Sequence, residues 1–300
     1  MATINTVLCP LDFSDASRHA LDHAIAIAGW YRAKLVALHT YHPVFLPVPG
    51  LAMAGAVDSS IPDADALEQM SDEMVGLLRP AKTAGLATES LVRMGTPAAA
   101  ILEAASSSHA DLIVMGTHGV TGFDHAVLGS VTEKVLRRAR CPVLTVPPRA
   151  RATSTLPFKR LLCPVDFAEP SLAALESALS LGQESDAHVT ILHVLEWPTD
   201  TEPLVNRPMN VPEYNRCRDQ DAAERLTRLV PDGSKSWCDA STRLAHGKPY
   251  RAILDVAAEE SADLIVMGVH GRNAIDLMLF GSTTNQVVRR ATCPVLTIRR

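Results

Sequence analysis

Aromatic side chains are scarce in this chain of 300 residues, where Phe, Trp and Tyr together make up only 4%. Hydrophobic residues nevertheless reach 47% of the sequence, so the core has to be built from Ala, Val, Leu and Ile. Charged residues account for 20%. This balance is typical of a globular protein and excludes a chain that is disordered throughout.

Cysteine is also too sparse, at six residues, to form the framework of a disulfide-stabilised fold. No Cys-x-x-Cys pair occurs, which argues against a zinc ribbon. Cys9, Cys141, Cys163 and Cys293 lie in apolar stretches, where a thiol behaves as a small buried hydrophobic group. We therefore expect a reduced protein in which these cysteines have no redox or zinc-binding role.

Long apolar runs and an excess of positive charge are missing as well. No stretch approaches the roughly 18 apolar residues of a membrane helix. Residues 1–6 have neither the basic region nor the separate apolar region of a signal peptide. The net charge of -5 is opposite in sign to that of a typical duplex DNA binder. These absences predict a cytoplasmic protein that binds neither nucleic acid nor membranes.

What the chain does contain is an internal repeat. Residues 8–41 match residues 162–195 at 12 of 34 positions, and residues 111–145 match residues 263–297 at 21 of 35. A repeat of half the chain length indicates a duplicated domain rather than a solenoid of short units. The polar, proline-bounded stretch before residue 158 is the predicted joint. We therefore expect one domain at residues 1–150 and a second at residues 151–300.

Short strand-like runs alternate with longer helical runs in each half. Such alternation predicts a parallel sheet covered on both faces, so each half is expected to be a doubly wound α/β domain of five strands. Ligands of these sheets bind beyond the carboxyl ends of the strands. The predicted strands are residues 6–9, 34–39, 87–93, 111–115 and 142–146, then 160–163, 188–193, 237–244, 263–267 and 294–298. The predicted helices of the first half are residues 15–30, 63–84, 97–107 and 130–139, with a loop at 43–62.

The spacing with the most chemical content follows the fourth strand of each half. Two glycines three positions apart are followed, after nine more residues, by Gly-Ser at the start of a helix. Glycines let backbone N–H groups approach an anion closely, and a helix N-terminus adds unpaired donors and a favourable dipole. The pattern predicts a phosphate cradle that is neither a Walker A loop nor a G-x-G-x-x-G turn. Its residues are Gly116, His118, Gly119, Gly129, Ser130, Val131 and Thr132 in the first half, and Gly268, His270, Gly271, Arg272, Gly281, Ser282 and Thr283 in the second.

Hydroxyl groups in this pattern add hydrogen-bond donors for a phosphate. They belong to Ser130 and Thr132 in the first half and to Ser282 and Thr283 in the second. His118 and His270 occupy equivalent positions in the two glycine loops. For both, a phosphate or metal contact is one alternative and a solvent-facing or packing role is the other, which we favour.

An acidic residue ends the first strand of each half, Asp12 after LCPL and Asp166 after LCPV. An acid at this position suits a ribose hydroxyl or a metal-bound phosphate, and the alternative is that it caps the following helix. We expect ligand contact, because the acid and the glycine loop reach the same edge of the sheet. His39 and His193 end the second strands, and we expect both to be packed, hydrogen-bonded side chains.

With these motifs the sequence resembles the universal stress protein family in its tandem two-domain form, over nearly the whole chain. The pattern G-2x-G-9x-G-[S/T] is that of the family's ATP-binding branch. The resemblance implies an adenine nucleotide, usually ATP with Mg²⁺ or Mn²⁺, in each half. It also implies that the halves pair through their last strands as an internal pseudo-dimer, and it leaves a homodimer of chains open.

The resemblance further implies roles for individual residues. Asp12 and Asp166 would contact the ribose, and the main chain at Thr40 and Val194 would contact adenine. The glycine-loop residues would hold the ribose and the phosphates. Pro10 and Pro164, two positions before each acid, are included among the nucleotide-binding residues.

The two halves differ where the resemblance leads us to expect a basic residue. The second half has Arg272 between its second and third glycines, whereas the first half has no Lys or Arg there. Asp124 and Asp276 add negative charge to the same segments. We therefore expect weaker nucleotide binding in the first half.

The sequence does not identify an enzyme. No Ser-His-Asp arrangement can be recognised from spacing, and no base is evident near an in-line water. The leading hypothesis is an ATP-binding stress-response or signalling module whose ligand state biases its contacts with partners. The alternatives are a slow Mg-dependent ATPase and a degenerate scaffold that binds another small ligand or a protein.

Overall fold

The computed structural model describes residues 4–41, 64–119, 128–151, 158–196, 211–230, 239–269 and 281–299. Strands and helices alternate along these residues. The strands are β1 (Thr6–Leu11), β2 (Lys34–Tyr41), β3 (Thr88–Met94), β4 (Leu112–Gly116), β5 (Val143–Val146), β6 (Arg160–Pro164), β7 (His188–Leu195), β8 (Asp239–His246), β9 (Leu264–Gly268) and β10 (Val295–Ile298). The helices are α1 (Asp15–Tyr31), α2 (Ala64–Leu77), α3 (Arg79–Thr83), α4 (Pro97–Ser107), α5 (Ser130–Arg138), α6 (Glu169–Ser185), α7 (Val211–Leu229), α8 (Pro249–Glu259) and α9 (Ser282–Arg290).

The ten strands of the described residues form a single sheet in the order β3-β2-β1-β4-β5-β10-β9-β6-β7-β8. Neighbouring strands within each half are parallel. The prediction of two doubly wound α/β domains with five strands each is confirmed. In each half the chain moves outward from the first strand and then returns to its other side. The switch points of the sheet therefore lie between β1 and β4 and between β6 and β9.

The two halves meet through their last strands, β5 and β10, which pair in the antiparallel direction. Thr145 Oγ1 donates a hydrogen bond to the carbonyl of Val295 at 3.2 Å, and Thr297 Oγ1 donates one to the carbonyl of Val143 at 3.1 Å. Both threonines are buried. The predicted pairing of the halves is thus confirmed within one chain, and it covers what would otherwise be two apolar edge strands.

Aliphatic side chains fill a layer on each face of the sheet, as the composition predicts. Helices α1, α2, α6 and α7 contribute to one layer, and α4, α5, α8 and α9 contribute to the other. Each layer contains residues of both halves. The halves therefore share their buried surface instead of enclosing separate cores.

A polar contact away from the sheet also joins the halves. The Tyr31 hydroxyl on α1 donates to Glu184 Oε2 on α6 at 2.5 Å. His19, also on α1, has its Nε2 3.0 Å from the carbonyl of Ala150, just after the first domain's last strand. The first contact joins α1 to α6 of the other half, and the second holds α1 against the end of its own half.

Three of the four cysteines expected in apolar surroundings are buried, and the fourth, Cys141, is half-buried. Cys9 and Cys163 are fully buried, and burial raises the pKa of both thiols. Burial raises the pKa of Cys141 to about 11 and that of Cys293 to about 12. Since the thiolate is the reactive form, a raised pKa disfavours reaction of these thiols at neutral pH.

Two predicted elements need correction. The helix expected over residues 63–84 is divided into α2 and α3 at Leu78. Pro80 explains the break, because proline has no N–H group and its ring clashes with the preceding turn. The strand expected over residues 237–244 is observed as β8, where Ala245 and His246 continue the register opposite β7. Residues 237 and 238 and the loop predicted at 43–62 lie outside the described residues.

None of the helices in the described ranges is both long enough and apolar enough to cross a bilayer.

Candidate functional site

The first-half site lies at the switch point, where β1 and β4 end and α5 begins. The carboxylate of Asp12 rests against the backbone of Gly119. A Cβ atom added at Gly119 would lie 2.5 Å from Asp12 Oδ2, which is closer than real Cβ atoms approach other atoms. An alanine here would therefore force the Asp12 carboxylate to move from this position. The structure therefore brings together the strand-end acid and the glycine loop, as the sequence predicts.

The rest of the Asp12 carboxylate is held by the turn that leads into α1. Asp12 Oδ1 accepts hydrogen bonds from the backbone N–H of Ser14 at 3.1 Å and from its hydroxyl at 2.5 Å. The N-cap of α1 is Ser14, whose Oγ accepts from the backbone N–H of Ser17. The alternative in which Asp12 caps this helix is therefore wrong. In the second half, Asp166 Oδ1 accepts from the backbone N–H of Ala168 at 3.0 Å.

A serine five positions after each acid was missed by the sequence analysis. Ser17 Oγ accepts from the backbone N–H of Asp12 at 3.4 Å, and Ser171 Oγ accepts from that of Asp166 at 3.2 Å. Each serine also donates to a backbone carbonyl one turn earlier and is buried. The signal was present, because the pattern D-F-x-x-x-S occurs in both copies.

The phenylalanine of this pattern was missed as well. Phe13 and Phe167 have left-handed backbone angles, with φ of 63° and 64°, which cost on the order of 1–3 kcal/mol for a bulky residue. Their rings lie 4.3 Å and 4.5 Å from the rings of His39 and His193. Each histidine Nδ1 is 2.8 Å or 2.7 Å from a carbonyl at the end of the first strand. The expectation of packed, hydrogen-bonded histidines is confirmed.

The glycine that ends the fourth strand of each half has a packing role. A Cβ at Gly116 would lie 3.1 Å from the carbonyl oxygen of Ala16, and one at Gly268 would lie 2.8 Å from the backbone of Pro170. The absence of a side chain thus lets the first turn of α1 or α6 approach the strand end. These two glycines shape the switch point whether or not they touch a ligand.

The hydroxyl of Thr132, expected to donate to a phosphate, has a different acceptor in the structure. It is buried, and its hydroxyl donates to the carbonyl of Gly116 at 2.9 Å. Thr284 makes the same bond to Gly268 in the second half. Since a hydroxyl has a single proton, the prediction that Thr132 donates to a phosphate is wrong for this structure. The threonine instead ties the helix to the strand end.

The N-terminus of α5 has no side-chain cap on its N-cap residue. Its N-cap is Gly129, and the N-cap of α9 is Gly281; neither helix has a side-chain cap. Each glycine N–H donates back to the loop after the preceding strand, at 2.9 Å and 3.0 Å. The first residues of these helices, Ser130 and Ser282, are exposed. Backbone N–H groups of an uncapped first turn are suited to an anion.

The remaining predicted residues lie at the same sheet edges or outside the described residues. His118 is half-buried, with Nδ1 2.8 Å from the hydroxyl of Thr117, so its ring orientation is fixed by its neighbour. Pro10 and Thr40 lie near the carboxyl ends of β1 and β2, and Pro164 and Val194 near those of β6 and β7. Val131 and Thr283 are half-buried in the first turns of α5 and α9. Outside the described residues are Asp124, His270, Gly271, Arg272 and Asp276.

No group of three or more His, Cys, Asp or Glu side chains that could hold a metal ion occurs within the parts of the chain described here. At the first-half site the ligand with suitable chemistry is the carboxylate of Asp12, an oxygen donor of the kind that Mg²⁺ accepts. One carboxylate does not form a metal site by itself, so a cation held here would need further ligands.

Together, the fold and the site define a tandem doubly wound α/β protein with an acid and a glycine loop at the switch point. The sequence model of the universal stress protein family matches residues 3–147 and again residues 157–299. The chain belongs to the universal stress protein family and contains two of its domains. The predicted resemblance to this family, in its tandem form, is confirmed.

Individual relatives agree with this assignment. A universal stress protein of Mycolicibacterium smegmatis is 28% identical over 305 residues, covering 99% of this chain and 98% of that protein. Universal stress protein MJ0531 of Methanocaldococcus jannaschii is 36% identical over 149 residues, which cover 48% of this chain and 83% of that protein. The crystal structure of a universal stress protein from Archaeoglobus fulgidus DSM 4304 is similar in fold, with a TM-score of 0.65 at 24% identity, covering 99% of this chain and 96% of that one.

Proposed function

We propose that each half of this chain binds an adenine nucleotide, ATP together with Mg²⁺ or Mn²⁺, at its switch point. The observation that carries the proposal is the contact between Asp12 and Gly119 beside the uncapped start of α5. It joins, at one place, an acid suited to a ribose or a cation and backbone donors suited to phosphates. The uncapped start of α9 supports an equivalent site in the second half.

In this proposal the phosphates are held mainly by backbone groups. The chain is acidic, with a net charge of -5, so a polyanion gains little from the protein's overall field. The N–H groups at the starts of α5 and α9 and the dipoles of these helices supply local positive potential. The cation contributes the neutralising charge when it is bound, and Asp12 or Asp166 provides an oxygen ligand or holds the ribose.

The proposed biological role is that of a stress-response or signalling module whose ligand state biases its contacts with partners. Binding of a nucleotide between the acid, the glycine loop and the helix start would order groups that belong to separate elements. Since a ligand shifts an equilibrium only by its differential affinity for the two states, partner binding should depend on nucleotide if this role holds.

Calorimetric titration of the full chain with ATP and MgCl₂ tests the binding proposal. The expected result is two sites per chain, with Asp12→Ala weakening one and Asp166→Ala weakening the other. Asp72→Ala changes an exposed acid on α2 and is the matched control, which should titrate like the wild type. Absence of heat in all proteins, with no nucleotide released when the purified chain is denatured, would contradict the proposal.

The same titration tests the expected difference between halves. Because Arg272 is present only in the second half, we propose that the tighter site is the one weakened by Asp166→Ala. Arg272→Ala should then bring the two affinities closer together. Equal affinities in the wild type, with no effect of Arg272→Ala, would overturn this part.

A further inference from the structure

A second polar constellation lies on the opposite side of the second half, at the amino ends of β7 and β8. His188 Nδ1 is 2.7 Å from Asp239 Oδ2, and His188 Nε2 is 2.9 Å from Ser241 Oγ. An ionised carboxylate only accepts hydrogen bonds, so Nδ1 carries the proton and Nε2 is left to accept the proton of the serine. This is the hydrogen-bond order of a serine nucleophile, its base and the acid that orients the base.

The register of the sheet builds this arrangement. His188 is paired with Asp239, and Ser241 lies two residues further along β8, so all three side chains emerge from the same face. The side chains of His188 and Asp239 are 40% and 80% exposed. A small molecule can therefore reach the group from solvent. Spacing alone could not show it, because 53 residues separate the histidine from the serine.

The first half has an ordinary ion pair at the same place. Lys34 begins β2 as His188 begins β7, and its Nζ lies 2.6 Å from Glu89 Oε2 on β3. Glu89 occupies the β3 position that corresponds to Ser241, since it lies one residue beyond the partner of Leu35. In the first half, β2 and β3 are thus joined at this position by an ion pair between opposite charges. The Ser-His-Asp order is therefore particular to the second half.

The backbone next to Ser241 offers a donor for a developing oxyanion. Strand β8 is the last strand of the sheet and pairs only with β7 among the described strands. The N–H of Gly247 donates to the carbonyl of Leu195 on β7. Because backbone groups alternate in direction along a strand, the N–H groups of the odd-numbered β8 residues point toward β7 and those of the even-numbered residues point away from it. The N–H of Thr242 then faces the open edge. An N–H of the residue after the nucleophile is the usual position for one oxyanion donor.

We propose that Ser241, activated by His188 and oriented through Asp239, is an acyl-accepting nucleophile toward small activated esters or thioesters. The Ser241 Oγ bonds to the acyl carbon while its proton moves to His188 Nε2. The bond from the acyl carbon to the leaving oxygen or sulfur then breaks, and the leaving group takes the proton from His188. A water molecule then gives a proton to His188 Nε2 as its oxygen bonds to the acyl carbon. The bond between the acyl carbon and Ser241 Oγ breaks, the acid leaves, and Ser241 Oγ takes the proton back from His188.

The probe is p-nitrophenyl acetate added to the full chain. We expect release of p-nitrophenolate together with an acetyl group on Ser241, located by mass spectrometry of peptides. Ser241→Ala and His188→Gln should each lower the release rate by on the order of tenfold or more, within the range for loss of general base catalysis. Ser241→Cys should still be acetylated at residue 241, because a thiol is also a nucleophile.

Two matched controls make the result specific. Ser180→Ala removes another exposed hydroxyl, one that contacts Glu184 on α6, and should leave the rate unchanged. Glu89→Ala breaks the corresponding ion pair of the first half and should also leave it unchanged. Acetylation confined to lysines, or an unchanged rate in folded Ser241→Ala protein, would overturn the proposal. Unfolding curves that match the wild type establish that the variants are folded.

Discussion

Gly29 and Gly119 both lack a left-handed backbone, but the space around them differs. A Cβ at Gly29 would meet nothing within 4 Å, whereas one at Gly119 would collide with the carboxylate of Asp12. The first glycine lies within the last turn of α1, where it has helical backbone angles and glycine is conformationally costly. Gly119, in contrast, lies in contact with the carboxylate of Asp12. Residue type alone does not distinguish these roles.

Replacing each glycine by alanine should separate the two effects. Gly119→Ala pushes Asp12 out of the site and should weaken ATP binding in the first half by on the order of tenfold, about 1.4 kcal/mol, with little change in unfolding free energy. Gly29→Ala should leave binding unchanged and raise the unfolding free energy by about 0.5–1 kcal/mol. Calorimetry and urea unfolding measure both. Equal ATP affinity in the two variants would show that Asp12 does not contact the nucleotide.

His23 provides a second test at this scale. It is buried in α1, and desolvation lowers its pKa below the ordinary value of 6.5, opposed by a contact between Nδ1 and the carbonyl of His19 and aided by the neighbouring His19 ring. Protons therefore bind the unfolded chain more readily than the folded one. Stability contributed by His23 should be present above about pH 6.5 and be lost as the pH falls below it.

Urea unfolding at about pH 8 and about pH 5.5 checks this sign. The unfolding free energy of the wild type should fall on acidification, and that of His23→Gln should fall less. A steeper fall in His23→Gln than in the wild type would contradict the burial argument.

At the scale of elements, α1 and α6 occupy the same position in their halves but begin differently. Ser14 caps α1 through its hydroxyl, whereas Ala168 stands at the N-cap of α6 and provides no side-chain acceptor. The internal repeat thus offers each helix as the reference for the other. Capping by serine is worth about 0.5–2 kcal/mol relative to alanine.

Exchanging the two caps should move stability in opposite directions. Ser14→Ala should lower the unfolding free energy by about 1 kcal/mol, and Ala168→Ser should raise it by a similar amount. Chemical denaturation of the two variants and of the double exchange provides the measurement. The double exchange should lie near the wild type, since the sites are far apart in sequence and belong to different halves. A loss of stability in Ala168→Ser would show that α6 cannot place a capping hydroxyl.

Elements were also what the sequence predicted best. Periodicity located ten strands and the main helices, because apolar repeats of about two and 3.6 residues are written directly in the chain. The glycine spacing predicted a site that the structure brings together around Asp12 and Gly119. The division of the second helix at Leu78 was missed, although Pro80 was visible, because the periodic pattern continues across it.

Contacts between separate elements could not be predicted in the same way. The hydroxyl of Thr132 was expected to face a phosphate. It instead donates to the carbonyl of Gly116, because α5 begins within hydrogen-bond distance of the end of β4. His188 and Ser241 become neighbours only through the register of β7 and β8. Such hydrogen bonds depend on three-dimensional placement, which a one-dimensional pattern does not contain.

At the scale of the whole molecule, the junction of β5 and β10 makes the two halves energetically dependent. Leu144 and Leu296 are opposite each other across the junction, and both are buried. Both core layers include residues from each half. A cavity at the junction should therefore weaken both halves.

Leu144→Ala tests this coupling. The substitution should lower the unfolding free energy by about 2–5 kcal/mol, the usual cost of truncating a buried leucine. Hydrogen exchange followed by mass spectrometry should show faster exchange in both β1 and β6. Met94→Ala, at a side chain that is 60% exposed, should change neither strand. Loss of protection in β1 with β6 unaffected would show that the halves unfold separately.

The antiparallel direction of that junction has a geometric consequence for ligands. Because β5 and β10 run in opposite directions, the carboxyl ends of the first-half strands and those of the second-half strands lie on opposite edges of the sheet. A bivalent molecule with a short tether cannot reach both edges of one chain. If each half binds nucleotide as proposed, the molecule would instead connect a site on one chain to a site on another, and each added chain would present its second site to the next. Tethered bivalent ligands should therefore link these proteins into linear arrays, and the arrays should lengthen as the protein concentration rises.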